Sequence, residues 1–249
     1  MTTIIKAPNI HTYTEVELIK KIQQIDIYSL ESYQEAKFLL KLSSEYNYTI
    51  AVIKAYCAIG YIYTLRAEYE LARAAFSKAL IIFEDTKQST LLNENEKLKL
   101  EMQLEGGIGN TYALQNSIAL ALPYYYKALQ IAEKIEDGQQ ISNYLSNIGT
   151  IHVKNFNVDR GLSYFMRAKD VILKEKVKRN LDSLYCNIAT CFFEKKADKE
   201  TFLYLQKALE AASETKNKNT IAIIYINYAD LYVMNKEYEL ALKSAILGL

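Results

Sequence analysis

Three asparagines, Asn147, Asn187 and Asn227, recur at equal intervals along this 249-residue chain. A side-chain amide carries N–H donors and a carbonyl acceptor, so it can bond both polar groups of a peptide backbone. A row of such amides is suited to holding an extended segment of another chain by its backbone. The spacing therefore predicts a binding face for a peptide or protein segment.

The same row has a second interpretation, in which each amide bonds a neighbouring helix and keeps successive segments in register. Asparagine is a poor helix former, so three copies inside helical segments need one reason or the other. Replacing Asn147 and Asn187 with alanine separates the two. A large drop in melting temperature indicates register, whereas lost binding at unchanged stability indicates a ligand row.

Histidine and glycine do not form a catalytic or phosphate-binding pattern in this sequence. His11 and His152 are the only histidines, and His152 occupies an aromatic packing position, which favours a core role. Gly106, Gly107 and Gly109 fall within a helical pattern, which indicates close helix packing rather than a nucleotide loop. We therefore predict no enzyme in this region, and no cofactor or metal.

The three cysteines and the overall charge also restrict the function. Cys57, Cys186 and Cys191 cannot all pair and lack metal-ligand spacing, so we expect reduced thiols in a cytoplasmic protein. Thirty basic and 29 acidic residues give a net charge of +1, which argues against nucleic acid as a partner. No signal-peptide pattern and no long apolar run is present, so we expect no membrane insertion.

Small residues mark a repeat that positions the asparagines. Gly109, Gly149, Ala189 and Ala229 recur at the same interval as the asparagines, and Gly60 precedes Gly109 by a somewhat longer one. An aromatic residue or His152 stands one helical turn after each of them, and an alanine or glycine recurs at a second fixed offset. Self-similarity at such a period predicts stacked helical pairs, in which small residues let two helices cross closely.

These offsets resemble the tetratricopeptide repeat, in which bulky, small and aromatic residues alternate along two helices. The first repeat matches at Tyr56, Ile59, Gly60, Tyr63, Ala72, Phe76 and Ala79, and the third at Leu145, Ile148, Gly149, His152, Gly161, Phe165 and Ala168. Glu105 in the second repeat and Thr201 in the fourth depart from the pattern.

The resemblance implies an all-α fold, a right-handed α-solenoid of helix pairs. It places the array at residues 48–249, with about five repeats at 53–86, 102–137, 142–176, 182–216 and 222–249. Residues 1–47 resemble a degenerate helix pair that caps the array, with Thr14 and Ser29 as predicted N-caps. Asp137 and Gly138 are predicted to end the second helix of repeat two.

In a tetratricopeptide array, the face of each first helix opposite its packing face lines a concave groove. The resemblance assigns to this groove a polar, nearly uncharged set of candidate binding residues: Tyr61, Asn110, Asn143, Asn147, Thr150, Lys154, Asn187, Thr190, Asn227 and Asp230. Similar rows of asparagines occur in peptide-binding members of the family, which supports a peptide or protein partner.

The long period of the repeat and the segment from Tyr144 to Gly149 resemble the amino-terminal arrays of bacterial diguanylate cyclases and sensor histidine kinases. This resemblance implies a protein-interaction or sensory module that regulates an output domain in a longer protein. The alternatives are a stand-alone scaffold or adaptor and a peptide-responsive regulator. The apolar final helix, at 237–249, indicates that either the chain continues or two copies pair through this repeat.

Overall fold

The computed structural model describes residues 13–86, 92–175 and 180–249, and these form twelve α-helices and no strand. In chain order they are α1 (Glu15–Gln23), α2 (Ser32–Glu45), α3 (Thr49–Leu65), α4 (Tyr69–Thr86), α5 (Glu94–Leu114), α6 (Ile118–Lys134), α7 (Gly138–Lys154), α8 (Val158–Glu175), α9 (Leu181–Glu194), α10 (Asp198–Thr215), α11 (Lys218–Met234) and α12 (Tyr238–Leu247).

The chain divides into two compact units, Met1–Asn116 and Ser117–Leu249. In the first unit α3 packs against α4, while α1 and α2 pack on α3 and α4 packs on α5. In the second, the pairs α7–α8, α9–α10 and α11–α12 follow one another, and α8 contacts α9 as α10 contacts α11. The predicted all-α repeat of helix pairs is confirmed.

Glycine sets the crossing of α7 and α8. A Cβ atom at Gly161 would overlap Cγ2 of Val153 and would lie 2.9 Å from the Gly149 carbonyl oxygen. Phe165, which is 2% exposed, fills the space beside Gly149. The two helices can therefore approach this closely only because both positions lack a side chain.

Thr201, which stands where the repeat pattern has a small residue, is accommodated inside the α9–α10 pair. Thr201 is 1% exposed, and its hydroxyl donates to the Ala197 carbonyl at 2.9 Å. A buried polar group is thus satisfied within its own helix, so the small residue of the pattern is dispensable here.

Left-handed residues close the short turns between helices. Within the second unit, Phe156, Lys196 and Lys236 take φ values of 59°, 56° and 61° in the turns α7–α8, α9–α10 and α11–α12. Glu136, at φ 54°, does the same between α6 and α7. The predicted helix end at Asp137–Gly138 is therefore wrong: the Asp137 side chain instead caps α7 by accepting from the Gln140 N–H at 3.1 Å.

The first two helices are anchored on α3. Thr14 caps α1 as predicted, with a reciprocal bond from the Thr14 N–H to Glu17 at 2.8 Å. The Glu15 carboxylate accepts the backbone N–H groups of Ile50 and Ala51 at 2.8 and 3.2 Å, so α1 caps the start of α3. The predicted N-cap at Ser29 is wrong, because Ser29 lies in a turn and α2 begins only at Ser32.

Candidate functional site

The asparagine row lies on three adjacent first helices of the second unit. Asn147 is on α7, Asn187 on α9 and Asn227 on α11, and α9 contacts both of the other helices. All three side chains are half-buried, while the residues that follow each of them in the chain are buried. The helical period therefore turns the three amides to the edge of the packed face.

Among the described residues, none of these three amides has a hydrogen-bond partner. A register role would require each amide to form a hydrogen bond with a neighbouring helix, and no such bond exists between described residues. Half-buried amides without intramolecular partners keep their donors and acceptors available to a bound segment.

Register contacts are made instead at the starts of the first helices. Asn180 Nδ2 donates to Asn143 Oδ1 at 3.3 Å, and Asn217 Nδ2 donates to Asp182 Oδ2 at 2.8 Å. Asn180 precedes α9, Asn217 precedes α11, and each reaches back to the preceding first helix. Sequence reasoning missed these two residues, although asparagine directly before a helix is an N-cap signal.

Asn143 is therefore engaged within the protein. Its Oδ1 also accepts from Gln139 Nε2 at 3.0 Å, and its Nδ2 donates to Gln140 Oε1 at 3.4 Å. Unlike the row beside it, this predicted groove residue links α7 to the start of α9.

The threonines and charged residues of the predicted set flank the row. Thr150 and Thr190 donate their hydroxyl protons to the carbonyls of Ser146 and Cys186, at 3.0 and 3.1 Å, and retain only acceptor capacity. Lys154, the last residue of α7, and Asp230 on α11 are exposed.

A cleft of about 180 Å³ opens beside the row, between α9, α10 and α11. Ala189, Phe193 and Leu205 contribute apolar walls, and Glu194 and Asp230 stand at the rim. Its polar residues also include Asn227, Thr190 and Thr201, and no lysine or arginine of the described chain lines it. The cleft thus combines hydrocarbon walls with negative charge, which suits a long cationic side chain.

The row has no counterpart in the described part of the first unit. The equivalent residues there are Ala58 and Gly107, both buried, and a Cβ at Gly107 would lie 2.6 Å from the Phe76 ring. Tyr61 on α3 is half-buried with its ring edge-on to Phe76, at a centroid distance of 5.1 Å. Asn110 is half-buried on α5.

The three cysteines and His152 are buried in the described part of the chain. No group of three or more His, Cys, Asp or Glu residues there could hold a metal ion. Cys57, Cys186 and Cys191 are buried free thiols, and burial raises the pKa of each to about 12. Burial, and then the charge of Arg160, lowers the pKa of His152. His11 lies outside the described residues.

Among the helices of the described chain, none is both long enough and apolar enough to cross a membrane. Neither a protein-family model nor a curated protein sequence matches this protein.

Solved structures match it at low sequence identity. The apo form of RapI has a TM-score of 0.70 at 12% identity, over 94% of each chain. A signal transduction ATPase with numerous domains and a tetratricopeptide repeat sensor, from Pyrococcus horikoshii, has a TM-score of 0.71 at 18% identity; the match covers 94% of this chain and 38% of that one. The Rap conjugation gene regulator of plasmid pLS20, in complex with the Phr* peptide, has a TM-score of 0.65 at 15% identity, over 93% of this chain and 72% of that one.

Proposed function

We propose that this chain, which folds as a tetratricopeptide-type array of helix pairs, binds an extended peptide or protein segment along Asn147, Asn187 and Asn227. This proposal rests on one observation: the three amides lie in equivalent places on adjacent helices, half-buried and without hydrogen-bond partners among the described residues. Main-chain recognition by such amides needs no particular ligand sequence.

The acid-rimmed cleft adds side-chain selectivity to this proposal. Glu194 and Asp230 have no salt-bridge partner among the described residues. A lysine or arginine of the bound segment would lay its aliphatic stem against Phe193 and Leu205 and bring its charge to the carboxylates. We therefore expect bound segments to carry a basic residue.

The experiment is selection of binders from an immobilised library of random twelve-residue peptides, followed by affinity measurement on the selected peptides. Asn147→Ala and Asn187→Ala should each weaken binding about tenfold, since two backbone hydrogen bonds contribute roughly 1–3 kcal/mol. Asn155→Ala is the matched control, because Asn155 is an exposed residue just beyond α7. Melting temperatures should be unchanged in all three variants.

Two results would count against the proposal. Peptides that bind the wild type and the Asn147→Ala, Asn187→Ala double variant equally well would show that the row is not the site. A melting temperature that falls strongly in the row variants would favour the register role.

The biological context that we propose is regulatory. Two of the structural neighbours are Rap proteins solved in complexes, one with competence and sporulation factor and one with the Phr* peptide. This likeness supports a peptide-binding regulatory role for the array. The long repeat period and the segment from Tyr144 to Gly149, not these neighbours, are our reason for proposing a bacterial cytoplasmic signalling protein with a diguanylate cyclase or kinase output. The alternatives are a stand-alone scaffold or adaptor and a peptide-responsive regulator. Reading the gene beyond Leu249 separates them, since an output domain favours the signalling protein and an early stop codon a stand-alone scaffold or adaptor.

A second candidate role, self-association, is favoured by apolar side chains on the last two helices. Ile226 and Val233 on α11 are 50% and 52% exposed, and Leu242 and Ile246 on α12 are 64% and 61% exposed. The two helices that carry them pack against each other, and exposed apolar side chains on neighbouring helices are candidates for an interaction surface. Sedimentation at high protein concentration tests it: a dimer supports pairing through the C-terminal repeat, and a clean monomer overturns it.

A further inference from the structure

A second cleft, of about 270 Å³, lies wholly within the first unit. Its floor is α3, and its sides are α2 and α4, which both pack on α3. The polar lining consists of Tyr33, Lys37, Tyr56, Tyr63 and Lys78, and the rest is leucine, isoleucine and alanine.

The tyrosines offer hydrogen-bond donors to the cleft. The Tyr63 hydroxyl donates to the Tyr33 oxygen at 2.9 Å, so the Tyr33 proton is left to donate elsewhere. Within the described chain, the Tyr56 hydroxyl has no hydrogen-bond partner. Burial, and then the hydrogen bond with Tyr33, raises the pKa of Tyr63 to about 12.

The two lysines make the cleft cationic. Lys78 Nζ lies 5.9 Å from the centre of the Tyr56 ring. Neither Lys37 nor Lys78 has an ion-pair partner among the described residues, and no aspartate or glutamate among them lines the cleft. Four donors, two of them charged, therefore face a space that supplies no anionic acceptor from the described chain.

The second unit contains a similar cleft in which acidic residues outnumber basic ones, and this cleft serves as an internal comparison. Tyr185 and Lys207 line it at the repeat positions of Tyr56 and Lys78, but Glu210 and Glu214 line it as well. The lysine there has carboxylates beside it. The unbalanced positive charge near Lys37 is thus a property of the first unit and not of the repeat itself.

We propose that the cleft over α3 binds a small organic acid with a single ring, whose carboxylate is held by Lys37 and Lys78 and hydrogen-bonded by Tyr33 and Tyr56. Sites for drug-sized ligands have volumes of roughly 300–1,000 Å³, so a cleft of about 270 Å³ suits a smaller molecule. The ring lies against the tyrosine and aliphatic walls, where offset and edge-on contacts stabilise it. This site is separate from the asparagine row and does not depend on a peptide being bound there.

The probe is 4-fluorobenzoate, titrated into the full chain and followed by fluorine NMR, with 4-fluorobenzamide as the uncharged control. We expect the acid to bind at least tenfold more tightly than the amide. Lys37→Gln and Lys78→Gln should each weaken the acid about three- to tenfold, as expected for loss of a charge-assisted bond at an exposed site. Both lysines are exposed, so the variants should fold normally, which circular dichroism checks.

Lys207→Gln is the matched control and should leave 4-fluorobenzoate binding unchanged, as should Asn147→Ala. Equal binding of acid and amide, or equal losses from Lys207→Gln and Lys78→Gln, would overturn the proposal. So would an acetylated Ala-Glu-Ala amide that binds more tightly than 4-fluorobenzoate, because the cleft would then take an acidic protein segment. Absence of binding at concentrations of about 10 mM would also refute it.

Discussion

His152 stacks on Tyr164 with ring centroids 5.4 Å apart and an interplanar angle of 12°. One repeat later, Phe192 stacks on Tyr204 at 5.5 Å and 17°. The Nε2 atom of His152 is buried and has no hydrogen-bond partner in the described chain. His152 therefore packs as a phenyl ring would and carries an ionisable group that the fold does not use.

This relationship predicts a pH dependence of stability. Because burial lowers the pKa of His152, the unfolded chain binds a proton more readily than the folded chain as pH falls through the unfolded value near 6.5. The wild type should thus lose stability below that pH, and His152→Phe should lose less. Melting temperatures measured from pH 7.5 to 5.5 should diverge steadily; His11 is common to both proteins and cancels.

The reciprocal variant tests the same assignment. Phe192→His should acquire an additional loss of stability over the same pH interval, since it places an imidazole in the equivalent stack. Parallel pH profiles for His152→Phe and the wild type would refute the burial argument.

The thiols should be unreactive in the folded protein. Thiolate is the nucleophile, and a pKa of about 12 leaves almost none of it at pH 8 for Cys57, Cys186 or Cys191. An aromatic disulfide reagent should therefore label no cysteine of the native chain within minutes and all three in guanidinium chloride. Rapid labelling of one native thiol would show that its helix pair opens locally.

Gly161→Ala should destabilise the protein by about 1–3 kcal/mol, the usual cost of overpacking a core. The added methyl would meet the Gly149 carbonyl oxygen at 2.9 Å, and this backbone atom cannot move without separating α7 from α8. Gly138→Ala is the control, since the atoms nearest to its methyl would belong to the exposed side chain of Glu175, which can rotate away, and not to a backbone. Urea unfolding should show the control unchanged or up to about 1 kcal/mol more stable.

Phe156→Gly should stabilise the protein by about 1 kcal/mol, because Phe156 holds a left-handed backbone that costs an L-residue roughly 1–2 kcal/mol and glycine little. Its φ is 59°, and its side chain is 94% exposed, so little packing is lost. Asn155→Gly should instead destabilise the protein, because Asn155 has a φ of −93° and its backbone conformation costs an L-residue nothing that glycine could relieve. Thermal unfolding of the two variants provides the measurement, and stabilisation by both would contradict the backbone explanation.

Sequence spacing predicted the repeated packing well because that packing is local. Gly149, Phe165 and Ala168 sit within one helix pair, where a fixed offset along the chain sets a fixed position in space. Helix ends were less predictable. Glu136 closes a turn in a left-handed backbone conformation that glutamate rarely adopts, so the residue type did not indicate that a turn lies there.

The candidate sites depended on distances between helices, which spacing alone does not supply. Asn143 and Asn147 share one helix, yet only Asn143 comes within reach of Asn180. The cleft over α3 likewise requires Lys37 on α2 and Lys78 on α4 to border the same space. These two lysines are distant in the chain, and only folding brings them to one cleft.

The left-handed turns at Phe156, Lys196 and Lys236 recur at equal intervals in the second unit. Residues 157–196 begin just after one left-handed turn residue and end at the next one. Duplication or loss of the gene segment that encodes them would therefore join helices through the same type of turn as before. Each such cassette contributes one asparagine to the row. Recombination between equivalent turns would therefore lengthen or shorten the asparagine row in steps of one repeat, without redesign of the turns that join its helices.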